Sequence, residues 1–130
     1  KSVFYLFTSK LYGFVFLVLS NFKPCWIIKM DADERETVTA MILSALGNKS
    51  RLRIYKLLVR VGFDGLNAGD IQERLKIPAS TLSHHIATLR HAGLLIQRQE
   101  GRGILISAGY ETMANLITYL TEECCANVEG

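Results

Sequence analysis

Residues 67–95, NAGDIQERLKIPASTLSHHIATLRHAGLL, decide the fold, because they predict two short amphipathic helices joined by a tight turn. The first helix is expected to run from Ala68 to about Leu75, with the side chain of Asn67 as its N-terminal cap. Pro78 then ends this helix and supplies a favourable first-turn backbone for the next one. The stretch therefore predicts a helix-turn-helix pair.

The second helix is expected to begin near Ala79 and to end at Ala92-Gly93, where glycine tolerates a left-handed backbone. Its apolar residues recur at spacings of four and three and predict the buried stripe: Leu82, Ile86 and Leu89. The residues outside that stripe form a polar edge that a DNA groove could receive: Ser80, Thr81, Ser83 and His84. The hydroxyls in the opening turn can serve exposed backbone amides or phosphates. DNA binding is therefore the leading hypothesis.

A β-hairpin is predicted directly after the second helix. The apolar runs Leu94-Leu95-Ile96 and Ile104-Leu105-Ile106 favour strands, and residues 97–103, QRQEGRG, separate them. Two glycines flank Arg102 and leave its charge on an exposed turn that can reach a phosphate or a minor groove. A helix-turn-helix followed by such a hairpin indicates a winged helix-turn-helix, a mainly α fold of about five helices with a two-stranded wing.

The charge is distributed unevenly along the chain. The 130 residues suit a single small domain, and their formal net charge is +3. Residues 49–102 carry ten Lys or Arg against four Asp or Glu, whereas both flanks of this region are acidic. A basic middle suits a surface that meets a polyanion, and an ordinary solvated surface is the alternative. Three cations complete the candidate DNA contacts: Arg90, Arg98 and Arg102.

Residues 1–29 differ in composition from the rest. They hold four lysines, no acids and many aromatic and aliphatic residues, and Met30 is the first methionine. From Met30 a charged lead is expected to run into a first helix over Thr37–Leu46. The leader is similar to a signal sequence, yet its apolar run Leu11–Leu19 is short for a membrane span and no small-residue cleavage site follows. We expect 1–29 to lie outside the fold, as an over-long gene start, and 30–130 to form the DNA-binding and dimerisation domain. A membrane tether is the second option, and no membrane partner is expected otherwise.

Two stretches resemble the ArsR-type metalloid-responsive repressors: ALGNKSRLRIYKLL at 45–58 and STLSHHIATLRHAGLL at 80–95, with similarity over about 37–125. The resemblance implies a cytoplasmic homodimer that binds double-stranded operator DNA and leaves it when an inducer binds. It also implies that Ser80, Thr81, Ser83 and His84 face the major groove, that His85 packs beneath the helix, and that the first and last helices form the dimer contact.

Cys124 and Cys125 are candidate ligands for a soft ion. The last helix is expected from about Tyr110 to Cys125, with an apolar stripe suited to a dimer contact: Met113, Leu116, Ile117, Leu120 and Cys124. Three cysteines without regular spacing argue against a disulfide scaffold and fit a reducing compartment. Vicinal thiols near a subunit interface can bind a thiophilic ion and change how the two DNA-binding units are spaced.

The expected inducer is trivalent arsenic, methylarsenite or antimony, and no permanently bound cofactor is expected. Two thiolates suffice for a monomethylated arsenical, whereas arsenite needs a third, which Cys25, a partner subunit or a small thiol would supply. Zinc is less favoured, because structural zinc wants four nitrogen or sulfur ligands. The Cys-x-Cys found before the recognition helix in many arsenic or cadmium sensors of this family is absent, since Leu66–Asp70 stands there. The Asp/His and His/Glu ligands that zinc sensors of this family carry on the last helix are absent too.

Other functions remain open. The same thiols could sense redox or sulfur species, or the chain could regulate through DNA without a metal ligand. A dithiol enzyme is not expected, because the sequence offers no Gly-rich phosphate loop at a strand-to-helix junction for a nucleotide cofactor. A dimerising interaction module that does not bind DNA is the remaining alternative.

Overall fold

The computed structural model describes residues 30–122 of the chain. This range holds five α-helices, one short 3-10 turn and one antiparallel two-stranded hairpin. In chain order they are α1 (Ala32–Leu46), α2 (Lys49–Val61), the 3-10 turn (Gly62–Asp64), α3 (Ala68–Leu75), α4 (Ala79–His91), β1 (Leu95–Glu100), β2 (Gly103–Ala108) and α5 (Tyr110–Thr121). The predicted winged helix-turn-helix class is confirmed. The predicted pairing of two copies through the first and last helices stays a prediction.

Helix α1 is longer than the sequence analysis expected. We expected a helix over Thr37–Leu46 with a charged lead before it, but α1 begins at Ala32. A capping box explains the difference: Asp31 Oδ1 accepts from the Glu34 backbone N–H at 2.9 Å, and the Glu34 carboxylate accepts from the Asp31 N–H at 3.4 Å. The acidic lead is therefore the first turn of the helix, where negative charge is favourable.

The hydrophobic core lies between α1–α4, the hairpin and the start of α5. The side chains of five large residues in it are fully buried: Ile54, Leu58, Ile71, Leu89 and Leu94. Arg51 fastens the end of α1 to the start of α2, since its guanidinium donates to the carbonyl oxygens of Ala45 and, at 3.2 Å, Ser44. This cation of the basic central region therefore caps a helix from within the domain.

The wing, defined as Leu95–Ala108, pairs more extensively than the sequence suggested. We expected residues 97–103 to separate the strands, but pairing continues to Glu100 opposite Gly103, so only Gly101 and Arg102 form the turn. Polar residues fit these outer positions because the outer half of the hairpin is exposed to solvent. Leu66 adds an isolated bridge to Ile106 and joins the connection after α2 to the wing.

Helix α5 follows the wing directly. Gly109 precedes it and its N–H donates to the Leu94 carbonyl at 2.8 Å, which brings the α5 junction against the turn after α4. The helix is described as Tyr110–Thr121, and the expected continuation to Cys125 lies outside the described residues, as do residues 1–29. None of the helices between residues 30 and 122 has the length and apolar content to cross a membrane.

Candidate nucleic-acid interface

Helix α4 presents a polar edge to solvent, as its periodicity predicted. The buried face consists of Leu82, His85, Ile86 and Leu89. The side chains predicted to meet DNA are all exposed: Ser80, Thr81, Ser83 and His84. Ala87 is exposed on the same helix and adds no bulk to this surface. Burial of one stripe therefore fixes which side of α4 is available to a ligand.

The beginning of α4 suits an anion. Pro78 precedes it and supplies no side-chain hydrogen bond to the first-turn amides, and the first turn contains no acidic residue. Ser80 and Thr81 lie in that turn. Free N–H groups and the positive end of the helix dipole favour a phosphate at such a place. The opposite end of α4 carries Arg90 and His91 in its last turn.

The turn between α3 and α4 has a feature that the sequence analysis missed. Lys76 adopts a left-handed backbone, with φ at 55° and ψ at 43°, and its N–H donates to the Gln72 carbonyl at 2.8 Å. Glycine is the usual residue at such a position, so lysine gives no signal in the sequence. Asn67 caps α3 as predicted, because its Oδ1 accepts from the Asp70 N–H at 2.9 Å.

His85 lies beneath α4 rather than in its exposed edge. Its side chain is buried, and its Nδ1 has no hydrogen-bond partner among the described residues. Burial lowers the pKa of His85 below the ordinary value, and electrostatic interaction with Arg51 and His84 lowers it further. The neutral imidazole is therefore the form that the fold favours, which suits a packing role.

Arg102 stands at the tip of the wing. Gly101 before it has φ at +59°, a conformation that glycine adopts without strain, and the Arg102 side chain is exposed. No hydrogen bond joins its guanidinium to any other residue within 30–122. The predicted phosphate contact is therefore free to meet a ligand.

The two other predicted cations, Arg90 and Arg98, are exposed but already hydrogen-bonded within the protein. Arg90 Nη1 donates to Gln97 Oε1 at 2.7 Å and so links α4 to β1. Arg98 donates from Nη1 to the Phe63 carbonyl at 2.8 Å and from Nη2 to the Asp64 carbonyl at 3.1 Å. Their contact with DNA stays a prediction. Sequence reasoning missed these partners, which lie up to 35 residues away along the chain.

A groove of about 260 Å³ separates α4 from the wing. Ser83 and Arg90 line it from the helix, and Gln97 lines it from β1. Its remaining wall is mostly apolar: Ala68, Ile86, Ala87, Ile104 and Ile106. The groove therefore keeps two candidate DNA contacts and the wing on one continuous surface.

The predicted ion site at Cys124 and Cys125 lies outside the described residues. Over residues 30–122, no three His, Cys, Asp or Glu side chains come together as a metal site would require. The end of α5 does contact α1, since Arg35 Nη2 donates to both Glu122 carboxylate oxygens at 2.7 and 2.9 Å. The Arg35 guanidinium also lies over the Tyr119 ring, 5.0 Å from its centroid. The first and last described helices are thus joined within one chain.

Comparison with known proteins agrees with this geometry. A family model described as a helix-turn-helix domain matches residues 46–98. The uncharacterised HTH-type transcriptional regulator YceK of Bacillus subtilis is 35% identical over 85 residues, which cover 65% of this chain and 81% of YceK. The biofilm growth-associated repressor of Agrobacterium fabrum is 30% identical over 98 residues, covering 75% and 81% of the two chains.

A solved structure shares the fold. It is the homodimeric winged helix-turn-helix DNA-binding domain Mb0332 from Mycobacterium bovis, described as a possible ArsR-family transcriptional regulator. The TM-score is 0.58 at 22% identity, with 74% of this chain and 90% of that one covered. YceK and the biofilm growth-associated repressor are named as transcription regulators, a class of protein that acts by binding and not by catalysis. The chain belongs to the family of HTH-type transcriptional regulators, and it has the winged helix-turn-helix fold.

Proposed function

We propose that this DNA-binding regulator is a cytoplasmic homodimeric repressor that leaves its operator when a trivalent arsenical or antimonial binds Cys124 and Cys125. The exposed polar edge of α4 carries the DNA-binding part of the proposal, next to a wing whose tip cation, Arg102, has no partner within residues 30–122. In it, Ser80, Thr81, Ser83 and His84 meet base edges and phosphates in the major groove. Arg102 meets a neighbouring phosphate or minor groove.

The dimer contact in this proposal is formed by α1 and α5. Ile117 and Leu120 on α5 are more than half exposed, and Leu43 on α1 is 43% exposed, although all three are large and apolar. Apolar side chains of this kind are typical of surfaces that pair with another protein. Two copies related by a twofold axis would place two α4 helices in successive major grooves of an imperfect palindrome.

The proposed sensing step depends on the chemistry of the cysteines. Thiolates are soft ligands that prefer thiophilic centres, and two adjacent cysteines provide two of them. Glu122, at the described end of α5, precedes the pair by two residues and is held by Arg35 of α1. An ion bound after Glu122 would therefore act close to the helices that form the proposed dimer contact.

A first test separates phosphate contacts from base contacts. Arg102→Ala is expected to weaken binding to all duplexes and to lower the slope of log affinity against log salt concentration by ~1, because one phosphate contact is lost. Ser83→Ala is expected to change the order of preference among operator variants instead. Gel-shift titrations on a duplex selected from random sequence measure both, with Arg102→Lys as the charge-preserving control. A wild-type chain that shifts no duplex at low salt contradicts DNA binding and favours an interaction module.

A second test addresses the inducer. Arsenite, methylarsenite and antimonite are each titrated into the protein–duplex complex while fluorescence anisotropy reports release of the DNA. Cys124→Ser with Cys125→Ser is expected to leave DNA affinity unchanged and to abolish release, because serine hydroxyls do not replace thiolates as soft ligands. Cys25→Ser tests whether Cys25 supplies the third sulfur ligand that arsenite needs. If an arsenical or antimonite still releases DNA from the double-serine variant, the sensing proposal is removed. If peroxide alone releases DNA from the wild type, a redox sensor is favoured.

A further inference from the structure

The side chain of Arg98 joins the outer part of the wing to the body of the domain. Its two Nη atoms donate to the Phe63 and Asp64 carbonyls, at 2.8 and 3.1 Å, and the Glu100 carboxylate lies 3.9 Å from Nη2. Resting on the proposed DNA-binding function, we propose that Arg98 is a positioning residue. It holds the wing at the angle that brings Arg102 to DNA, and it does not itself bind a phosphate.

The acceptors of these hydrogen bonds belong to the 3-10 turn, which lies close to β2. Gly62 begins the 3-10 turn and Gly65 follows it, with φ at 83° and 74°. A Cβ on Gly65 would lie 2.7 Å from the Ile106 carbonyl oxygen, so the backbone approaches β2 as closely as glycine allows. The Phe63 ring is 76% exposed but packs on Tyr110 with centroids 5.0 Å apart. The backbone that carries the two carbonyls is therefore placed next to β2 by contacts of Gly65 and Leu66 that do not involve Arg98.

Arg98 lies further out along the hairpin than the backbone hydrogen bonds that attach the wing to the body of the domain. The inner end of the wing is attached through the backbone, where Leu66 and Ile106 exchange two N–H···O bonds of 2.9 and 2.8 Å. Arg98 stands opposite Leu105, one residue pair further out. In the described part of the chain, no hydrogen bond nearer the tip joins the wing to the body. Without Arg98, the Leu66–Ile106 bridge and the Arg90–Gln97 hydrogen bond would hold the inner half of the wing, and the outer half would be free to move relative to α4.

The guanidinium shape is needed for this role. Two nitrogens of one planar group bond to the carbonyls of consecutive residues, Phe63 and Asp64. Lysine carries the same charge as a single point and cannot reproduce that fork. A phosphate contact, by contrast, retains most of its electrostatic attraction when lysine replaces arginine. Arg98→Lys therefore distinguishes a positioning residue from a direct phosphate contact.

The first measurement needs no DNA. Hydrogen exchange of the wing amides is followed in the full-length wild type and in the Arg98→Ala, Arg98→Lys and Arg102→Ala variants. Exchange at Gln99–Gly103 is expected to be faster in both Arg98 variants and unchanged in Arg102→Ala, while exchange in α2 stays at the wild-type rate. Unchanged exchange in Arg98→Ala overturns the proposal whether or not the chain binds DNA.

The second measurement uses a double-mutant cycle on the selected duplex. Because Arg98 acts through Arg102, Arg98→Ala and Arg98→Lys are expected to weaken binding alike. Arg98→Ala with Arg102→Ala is expected to bind no more weakly than Arg102→Ala alone, and its salt slope falls by ~1 rather than ~2. Additive losses, with Arg98→Lys close to wild type, overturn the proposal and make Arg98 a phosphate contact. Failure of the wild type to bind any duplex contradicts the proposed function. The hydrogen-exchange measurement alone then tests whether Arg98 positions the wing.

Discussion

Leu89→Ala is expected to lower the free energy of unfolding by about 2–5 kcal/mol, the range for removing a large aliphatic side chain from a packed core. Leu89 has no exposed surface and lies on the buried face of α4. The cavity would lie directly beneath the helix proposed to enter the major groove. Urea unfolding at one fixed protomer concentration measures the loss, because the stability of a dimer depends on concentration.

Ile96→Ala is the matched control for Leu89. Ile96 is also large and aliphatic, but it is 55% exposed on β1. Its replacement is expected to cost less than about 1 kcal/mol, since little apolar surface leaves the interior. Equal losses in the two variants would contradict the assignment of Leu89 to the core.

Gly109→Ala is expected to lower the free energy of unfolding by about 1–3 kcal/mol or more, the cost of forcing extra atoms into a packed place. The added methyl group would overlap the Gly93 carbonyl oxygen and lie 3.1 Å from the Leu94 carbonyl carbon. Both are backbone atoms, so no side-chain rotation relieves the overlap. The turn after α4 and the start of α5 must move apart, and a lower midpoint of thermal unfolding reports the loss.

Gly103→Ala is the control for that substitution. A Cβ at Gly103 would meet only the Glu100 carbonyl oxygen, at an ordinary 3.7 Å. Alanine also restricts the unfolded chain more than glycine does, so a small gain of up to about 1 kcal/mol is expected. A larger loss at Gly103 than at Gly109 would show that backbone crowding is not the cause.

The helix-turn-helix could be predicted from the sequence almost to the residue. The predicted α3, Ala68–Leu75, has the observed bounds, and α4 begins at Ala79 as expected. The signals are local: Asn67 caps one helix and Pro78 separates the two. The polar edge of α4 follows from the same periodicity, because the buried stripe determines which residues remain outside. Fold class and candidate DNA surface were therefore accessible from short-range patterns.

Two features could not be predicted in this way. The predicted start of α1 was wrong, because Asp31 and Glu34 form a capping box within a run that also looks like a charged segment preceding a helix. The partners of Arg90 and Arg98 depend on tertiary packing, since a surface arginine looks the same in sequence whether it meets a phosphate or a distant carbonyl. The charge of a basic region therefore overstates the number of cations that are available to DNA.

In the proposed DNA complex, the short reach of the wing fixes the distance between its contact and that of α4 on the operator. Three residue pairs lead outward from the Leu66–Ile106 bridge to the turn at Arg102, which at about 3.3 Å per residue is roughly 10 Å of backbone. So short an arm keeps the tip cation at a nearly constant offset from α4. A half-site would then have two parts with invariant spacing. Inserting one base pair between them, about 3.4 Å, would be less tolerated than changing a base within either part.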